Sequence, residues 1–143
     1  MKNTPILVSA CLAGLFCRYN GDTVPDERVV ELVRQGRAVP FCPEVHGGLP
    51  TPRAPCEKLG EKIIDRDGID RTAAFCRGAE EGLRLARLIG SREAILKARS
   101  PSCGSGEIYD GTFASIRVPG DGIFAQLLKE NGMSVRTEED LPA

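Results

Sequence analysis

Three short apolar runs in this chain each lead into a turn that carries a cysteine, and this arrangement constrains the fold more than any other feature. Ile6-Leu7-Val8 leads into Ser9-Ala10-Cys11, and Ala38-Val39-Pro40-Phe41 leads into Cys42. Ala94-Ile95-Leu96-Lys97-Ala98 leads into Arg99-Ser100-Pro101-Ser102-Cys103. Apolar runs this short, bounded by turn formers, read as buried strands. Between the first two lies a helical pattern, opened by Pro25-Asp26 and closed by Gly36. Val29, Val30, Leu32 and Val33 take one side, and Glu27, Arg28, Glu31 and Arg34 take the other. Strand, helix and strand in this order predict a right-handed βαβ unit with parallel strands. The expected fold class is α/β, a single open, mostly parallel Rossmann-like sheet flanked by helices. Such sheets collect function beyond the carboxyl ends of their strands, which is where Cys11, Cys42 and Cys103 are expected to meet.

The remaining segments fill in around that sheet. Lys62 to Asp70 reads as two very short extended pieces around the Asp67-Gly68 turn. Asp70 or Thr72 is placed to cap a helix reaching about Leu88, with Phe75, Ala79, Leu83 and Ala86 as its inner stripe. Leu85, Leu88 and Ile89 broaden that stripe, and Cys76 beside it is expected to pack in the core. Ile108 to Phe113 reads as a tight turn. A last helix runs from Ile123 to Asn131, and Met133 to Arg136 reads as an edge strand before an acidic tail.

With 143 residues, 41% of them hydrophobic, the chain is expected to form a single domain, 1–143, with a core that needs no covalent staples. A formal charge of -1 argues against a stable nucleic-acid partner, because phosphate binding needs concentrated positive charge. No apolar run approaches a membrane span of roughly 20 residues. The Ile6-Leu7-Val8 run after Met1-Lys2-Asn3-Thr4-Pro5 is too brief for a leader, so the expected location is cytoplasmic. Six cysteines, at 11, 17, 42, 56, 76 and 103, are many for such a chain. Disulfides are open to an even count, but without an export signal a thiol, metal or cluster role is the expectation. No Cys-x-x-Cys pair is present, so a metal site has to be assembled from distant segments.

Residues 42–53 concentrate the chemistry: Cys42, Glu44, the sole histidine His46, Gly47-Gly48, Arg53 and three prolines. Prolines hold the backbone where glycines let it turn, which serves to aim side chains. Three converging thiolates suit a soft metal. One reading is zinc on three cysteines with His46 or water; the sharper one is an iron-sulfur cubane on three cysteines with its fourth iron open to substrate. Cys17 reads as a reactive thiol, a ligand or a small buried hydrophobe. Arg53 is placed to hold Glu44 or a substrate carbonyl, or to form a structural ion pair. His46 reads as a proton donor or as a satisfied loop histidine.

Val8-Ser9-Ala10-Cys11-Leu12-Ala13-Gly14, Cys17-Arg18-Tyr19-Asn20-Gly21, Cys42-Pro43-Glu44, Gly47-Gly48-Leu49-Pro50, Pro52-Arg53 and Ser100-Pro101-Ser102-Cys103-Gly104 together resemble the DUF523 family. Its characterised branch contains thiouracil desulfidases, and the resemblance covers nearly the whole chain. Ala13 and Leu15-Phe16 stand where relatives often carry other small or apolar residues. The resemblance implies an enzyme that converts 2-thiouracil or 4-thiouracil to uracil and sulfide without net redox change. Its implied cofactor is a [4Fe-4S] cluster on Cys11, Cys42 and Cys103. By the same resemblance Glu44 activates water, and Ser100 or Ser102 orients the ring or relays a proton. Backbone N–H groups around Gly104 to Gly106 are expected to face the cluster's charge. The implied partners are a small thiolated heterocycle and water, with no membrane and with a homodimer among the assemblies open to it. Another thioamide or thionucleoside as substrate, and a non-catalytic iron-sulfur or zinc-binding sulfur-handling module, remain the alternatives.

Overall fold

The structure is a computed structural model that describes residues 4–142. Residues 1–3, part of the start read above as too short for a leader, lie outside the described residues. In chain order the elements are β1 (Ile6–Ser9), a 3-10 turn (Ala10–Ala13), α1 (Glu27–Arg34), β2 (Ala38–Phe41), α2 (Pro43–His46), β3 (Cys56–Leu59) and β4 (Lys62–Asp65). They continue with α3 (Thr72–Ile89), β5 (Glu93–Leu96), β6 (Glu107–Tyr109), β7 (Arg117–Pro119), α4 (Ile123–Glu130), β8 (Ser134–Thr137) and a second 3-10 turn (Glu138–Asp140).

Four strands form one sheet in the order β2-β1-β5-β8, and every pairing in it is parallel. Side-chain alternation sorts its two faces. Leu7, Ala94 and Leu96 point to one side and pack with Ala79 and Ala86 of α3 and with Phe124, Ala125 and Leu128 of α4. Ile6, Val8 and Ile95 point to the other and pack with Val29 of α1. The result is an α/β fold of Rossmann-like arrangement, with α1 on one face and α3 and α4 on the other. The chain leaves β1 for β2 on one side and later returns to β5 on the other. The switch point therefore lies between β1 and β5, where open α/β sheets form their crevice.

Local chemistry sets the element ends. Asp26 caps α1 by accepting from the Arg28 N–H, and Asp70 accepts from the Thr72 N–H as α3 begins. Gly90, at φ 70°, ends α3 in the left-handed conformation that a glycine adopts without steric penalty. No side chain caps α4. Its first amides are satisfied by the site loop instead: Ile123 N donates to the Pro101 carbonyl, and Phe124 N and Ala125 N donate to that of Ser102.

Several expectations need correction. Residues 43–46 form a helical turn, α2, with Pro43 in its first positions, where the missing proline N–H costs nothing. The hairpin pairs β3 with β4 across Gly60, one element earlier than expected. The Asp67-Gly68 turn closes only an isolated bridge from Ile64 to Asp70. Segment 108–113 is not a lone tight turn, because β6 pairs with β7 in a second hairpin. Cys76 and Leu88 are exposed on α3. The inward face of that helix is narrower than its apolar pattern suggests because Gly78 and Gly82 sit on it and bring its backbone close to its neighbours. A Cβ at Gly78 would strike the Pro43 carbonyl, and one at Gly82 would strike Phe124 and Phe41.

Candidate active site at the switch point

A cavity of about 280 Å³ opens where the carboxyl ends of β1, β2 and β5 meet. Cys11, Cys42, Cys103, Glu44, Ser100 and Ser102 all line it, so the structure brings together the three cysteines, the carboxylate and the two serines singled out above. Cys11 sits in the 3-10 turn after β1, its carbonyl held by the Thr23 hydroxyl at 2.9 Å and by the Val24 N–H at 3.2 Å. Cys42 is the residue before α2, and the close backbone approach of α2 to α3 at Gly47 and Gly78 fixes its height. Cys103 follows a loop whose peptide at Ser102 packs so closely on Gly122 that no Cβ fits there.

Two further thiols, Cys17 and Cys56, line the same cavity. A hydrogen bond with the Cys11 thiol, the largest cause, pushes Cys17 up to about 11. Its hydrogen bond with Cys17, followed by burial, holds Cys42 well above the usual thiol range. Burial pushes Cys103 and Cys56 up to about 12 each. Binding a soft metal asks each ligating thiol to give up its proton. Ser9 was missed by the sequence reading. It lines the cavity, and its hydroxyl accepts from the Lys97 N–H at 2.9 Å.

The carboxylate and hydroxyls form a directed chain. Ser102, 2% exposed, donates to Glu44 Oε2 at 2.8 Å, and Ser100 Oγ stands 2.9 Å from Ser102 Oγ. Ser100 Oγ already accepts from the backbone N–H groups of Ser102 and Cys103. With Ser102's single proton directed to Glu44, the Ser100 proton points to Ser102 Oγ. Arg53 Nε donates to Glu44 Oε1 at 3.0 Å. Arg99, just before Ser100, holds φ 65°, a conformation uncommon outside glycine, while its guanidinium pairs with Glu139 at 2.7 Å. The acidic tail is thus tied to the site, Glu138 also pairing with Lys97 at 2.9 Å.

Other expectations fall outside the cavity. His46 is exposed, stacks on Phe41 at 4.4 Å and approaches only the Cys42 carbonyl through Nδ1. The Gly104 and Gly106 N–H groups are engaged within the protein, by the Ser100 carbonyl and by Asp121 Oδ1, each at 2.8 Å. At the mouth, Arg18 lies against Tyr19 and Arg66 against Phe113, with ring distances of 5.6 and 5.7 Å. Neither arginine has a carboxylate partner among the described residues.

Among the described residues no three His, Cys, Asp or Glu side chains are close enough to hold one metal ion. A cubane does not ask for that, because each of its irons takes a separate thiolate. The donor set fits such a group: thiols from three strand ends, walled by buried hydroxyls, with no imidazole among them.

The model of the 2-thiouracil desulfurase family matches residues 6–140, and the chain belongs to that family. It is 43% identical over 146 residues to the uncharacterized protein YbbK of Bacillus subtilis (strain 168), a match that covers 95% of this chain and 97% of that one. A solved structure described as the [4Fe-4S]-dependent thiouracil desulfidase TudS (DUF523Vcz) superposes with a TM-score of 0.92 at 47% identity, covering 96% of this chain and 93% of that chain. No described helix is long and apolar enough to cross a membrane.

Proposed function

We propose that this chain, acting as one domain, is a desulfidase that replaces the sulfur of a thiolated pyrimidine base, 2-thiouracil or 4-thiouracil, with oxygen from water. The observation that carries the reading is that one cavity is lined by Cys11, Cys42 and Cys103 together with a carboxylate hydrogen-bonded to Ser102. Family membership and the likeness to a solved thiouracil desulfidase support the same substrate class. Cys11, Cys42 and Cys103 would hold a [4Fe-4S] cluster, which supplies an open Lewis-acid iron to polarise the C=S bond and accept its sulfur.

The chain's own groups supply the rest. Glu44 takes a proton from water as its oxygen adds to the thiocarbonyl carbon. Ser102 holds Glu44 by one oxygen, and Ser100 behind it can pass a proton along the same chain of hydroxyls. Water contributes the carbonyl oxygen and the sulfur departs as hydrosulfide, so no electrons are gained or lost. A thionucleoside is the second reading, favoured by Arg18 and Arg66, which have no carboxylate partner among the described residues and whose N–H groups can meet sugar hydroxyls at a mouth also walled by Tyr19 and Phe113.

Incubating anaerobically reconstituted protein with each thiouracil, without reductant, should give uracil and sulfide in equal amounts. Turnover of a thionucleoside but of neither free base moves the assignment to the second reading; turnover of none of them overturns the enzyme. Glu44→Ala should keep the visible absorbance of the cluster and lower kcat by about 10²–10⁴-fold. Unchanged kcat removes Glu44 from its role.

A further inference from the structure

The Arg53 side chain is 7% exposed and its partner Glu44 14% exposed. A guanidinium offers five N–H groups in a fixed plane. Nε donates to Glu44 Oε1 at 3.0 Å. Nη1 donates to the Pro50 carbonyl and to Thr51 Oγ1, both at 3.1 Å, and Nη2 donates to the Cys17 carbonyl at 2.8 Å. The Arg53 backbone N–H meets the Tyr19 carbonyl at 2.7 Å. These contacts tie three segments of the cavity wall to one plane: α2, the loop after the first 3-10 turn, and residues 50–53. Four of the five side-chain N–H groups are engaged within the protein, so the guanidinium is not a clamp for a substrate carbonyl. Glu44 Oε2 is held from the opposite side by Ser102 at 2.8 Å.

Building on the role proposed for Glu44, we propose that Arg53 is a positioning residue. It fixes the plane of the Glu44 carboxylate against the reacting carbon and acts on the reaction only through that carboxylate. An ion pair that merely stapled the loops together would act on stability, cluster loading and substrate affinity alike. A positioning residue lowers kcat well beyond what its share of the loop contacts costs in stability, and leaves cluster loading and substrate affinity in place. Lysine keeps the charge but presents it as a point on a flexible stem, and it cannot reproduce a bond to Glu44 together with bonds to two carbonyls.

The test compares Arg53→Lys, Arg53→Ala and Glu44→Gln in the cluster-loaded full chain. Arg53→Lys should keep the visible absorbance, lower the thermal midpoint by about 5 °C through the lost bonds to the Pro50 and Cys17 carbonyls, hold KM within about 2-fold and lower kcat by about 30-fold, as displacement of a reacting group does. Arg53→Ala should fall further and recover at least about 5-fold with added guanidinium ion but not with ammonium. The double variant Glu44→Gln/Arg53→Lys should be no slower than Glu44→Gln alone, because the two residues act as one unit. Selective 13C labelling of glutamate carboxyls gives a readout independent of turnover. The Glu44 signal, assigned by its loss in Glu44→Gln, should be a single sharp line in the wild type and a shifted, averaged line in Arg53→Lys.

Wild-type kcat in Arg53→Lys, or losses that multiply in the double variant, overturns the proposal. Failure of Arg53→Lys to fold or to load its cluster also overturns it, by assigning Arg53 to the staple. A wild-type protein without turnover removes the desulfidase reading instead. In that case the carboxyl signal still decides whether Arg53 sets the geometry of Glu44.

Discussion

The floor and the mouth of the cavity are built differently. The floor comes off the ends of parallel strands: Cys11 after β1, Cys42 after β2, and Ser100 to Cys103 after β5, with Ser102 and Cys103 buried. It is held by elements with no slack, namely the α4 amides on the Pro101 and Ser102 carbonyls and the glycine contacts of α2 with α3. The mouth comes from two short antiparallel hairpins, beside Arg18 and Tyr19 of the loop after the first 3-10 turn. Cys56 and Glu57 lie on β3, Arg66 just after β4, Tyr109 on β6 and Phe113 between β6 and β7. Glu57 Oε1 joins the hairpins by accepting from the Gly111 and Phe113 N–H groups at 3.0 and 3.1 Å. Groups that must be placed within a fraction of an ångström belong on the packed floor. Groups that admit or select a substrate tolerate a surface hairpin.

The sharpest test of that contrast exchanges one thiol from each region for a hydroxyl. Cys42→Ser should abolish the visible absorbance and lower turnover at least about 10³-fold, because a proposed ligand is lost. Cys56→Ser should keep both within about 2-fold, and equal losses erase the distinction. Next in size, Gly78→Ala drives a methyl into the Pro43 carbonyl and should cost about 2–3 kcal/mol of stability by urea unfolding, with loss of cluster loading. A glycine-to-alanine change there without cost contradicts the tight placement of α2. At the mouth, Arg66→Ala should raise KM by about 3–10-fold for the accepted substrate and leave kcat and the cluster spectrum unchanged. A fall in kcat instead extends the chemistry to the hairpin.

The smallest effect is a pH dependence of stability at the base of the first hairpin. The Ile69 N–H, helped by the Arg71 guanidinium, holds the Asp65 carboxyl below its usual value of 3.8. A group depressed in this way stabilises the fold above its unfolded value and loses that contribution as pH falls through its folded value. Urea midpoints should therefore be level from neutrality to about pH 4 and decline below it, and Asp65→Asn should shallow that decline. An unchanged acid limb in Asp65→Asn removes this contribution.

The floor was legible in the sequence because buried parallel strands leave an unmistakable trace, a short apolar run stopped by a turn. Three such runs followed by cysteines were enough to place Cys11, Cys42 and Cys103 along one edge. The mouth was not legible. β3 and β6–β7 are three or four residues long, partly exposed and rich in charge, so their pairing depends on tertiary contacts such as Glu57 with the Gly111 and Phe113 amides. Cys76 was misplaced because its helix packs through glycines, which reduce the number of inward positions that an apolar stripe suggests. Ser9 acquires its role from a partner 88 residues away, at Lys97, and no local motif announces that contact. Arg53 does hold Glu44, one of the roles that its place among residues 42–53 left open.

The central claim is that three strand-end thiols hold an iron-sulfur cluster that the neighbouring carboxylate puts to work on a thiocarbonyl. Iron and acid-labile sulfide analysis of anaerobically reconstituted protein, run beside uracil release from thiouracil in the same sample, tests it most directly. The account predicts about four irons and four sulfides per chain, with uracil formed in proportion to cluster content. Colourless protein that holds stoichiometric zinc, or a fully loaded cluster with no uracil formed, would contradict it.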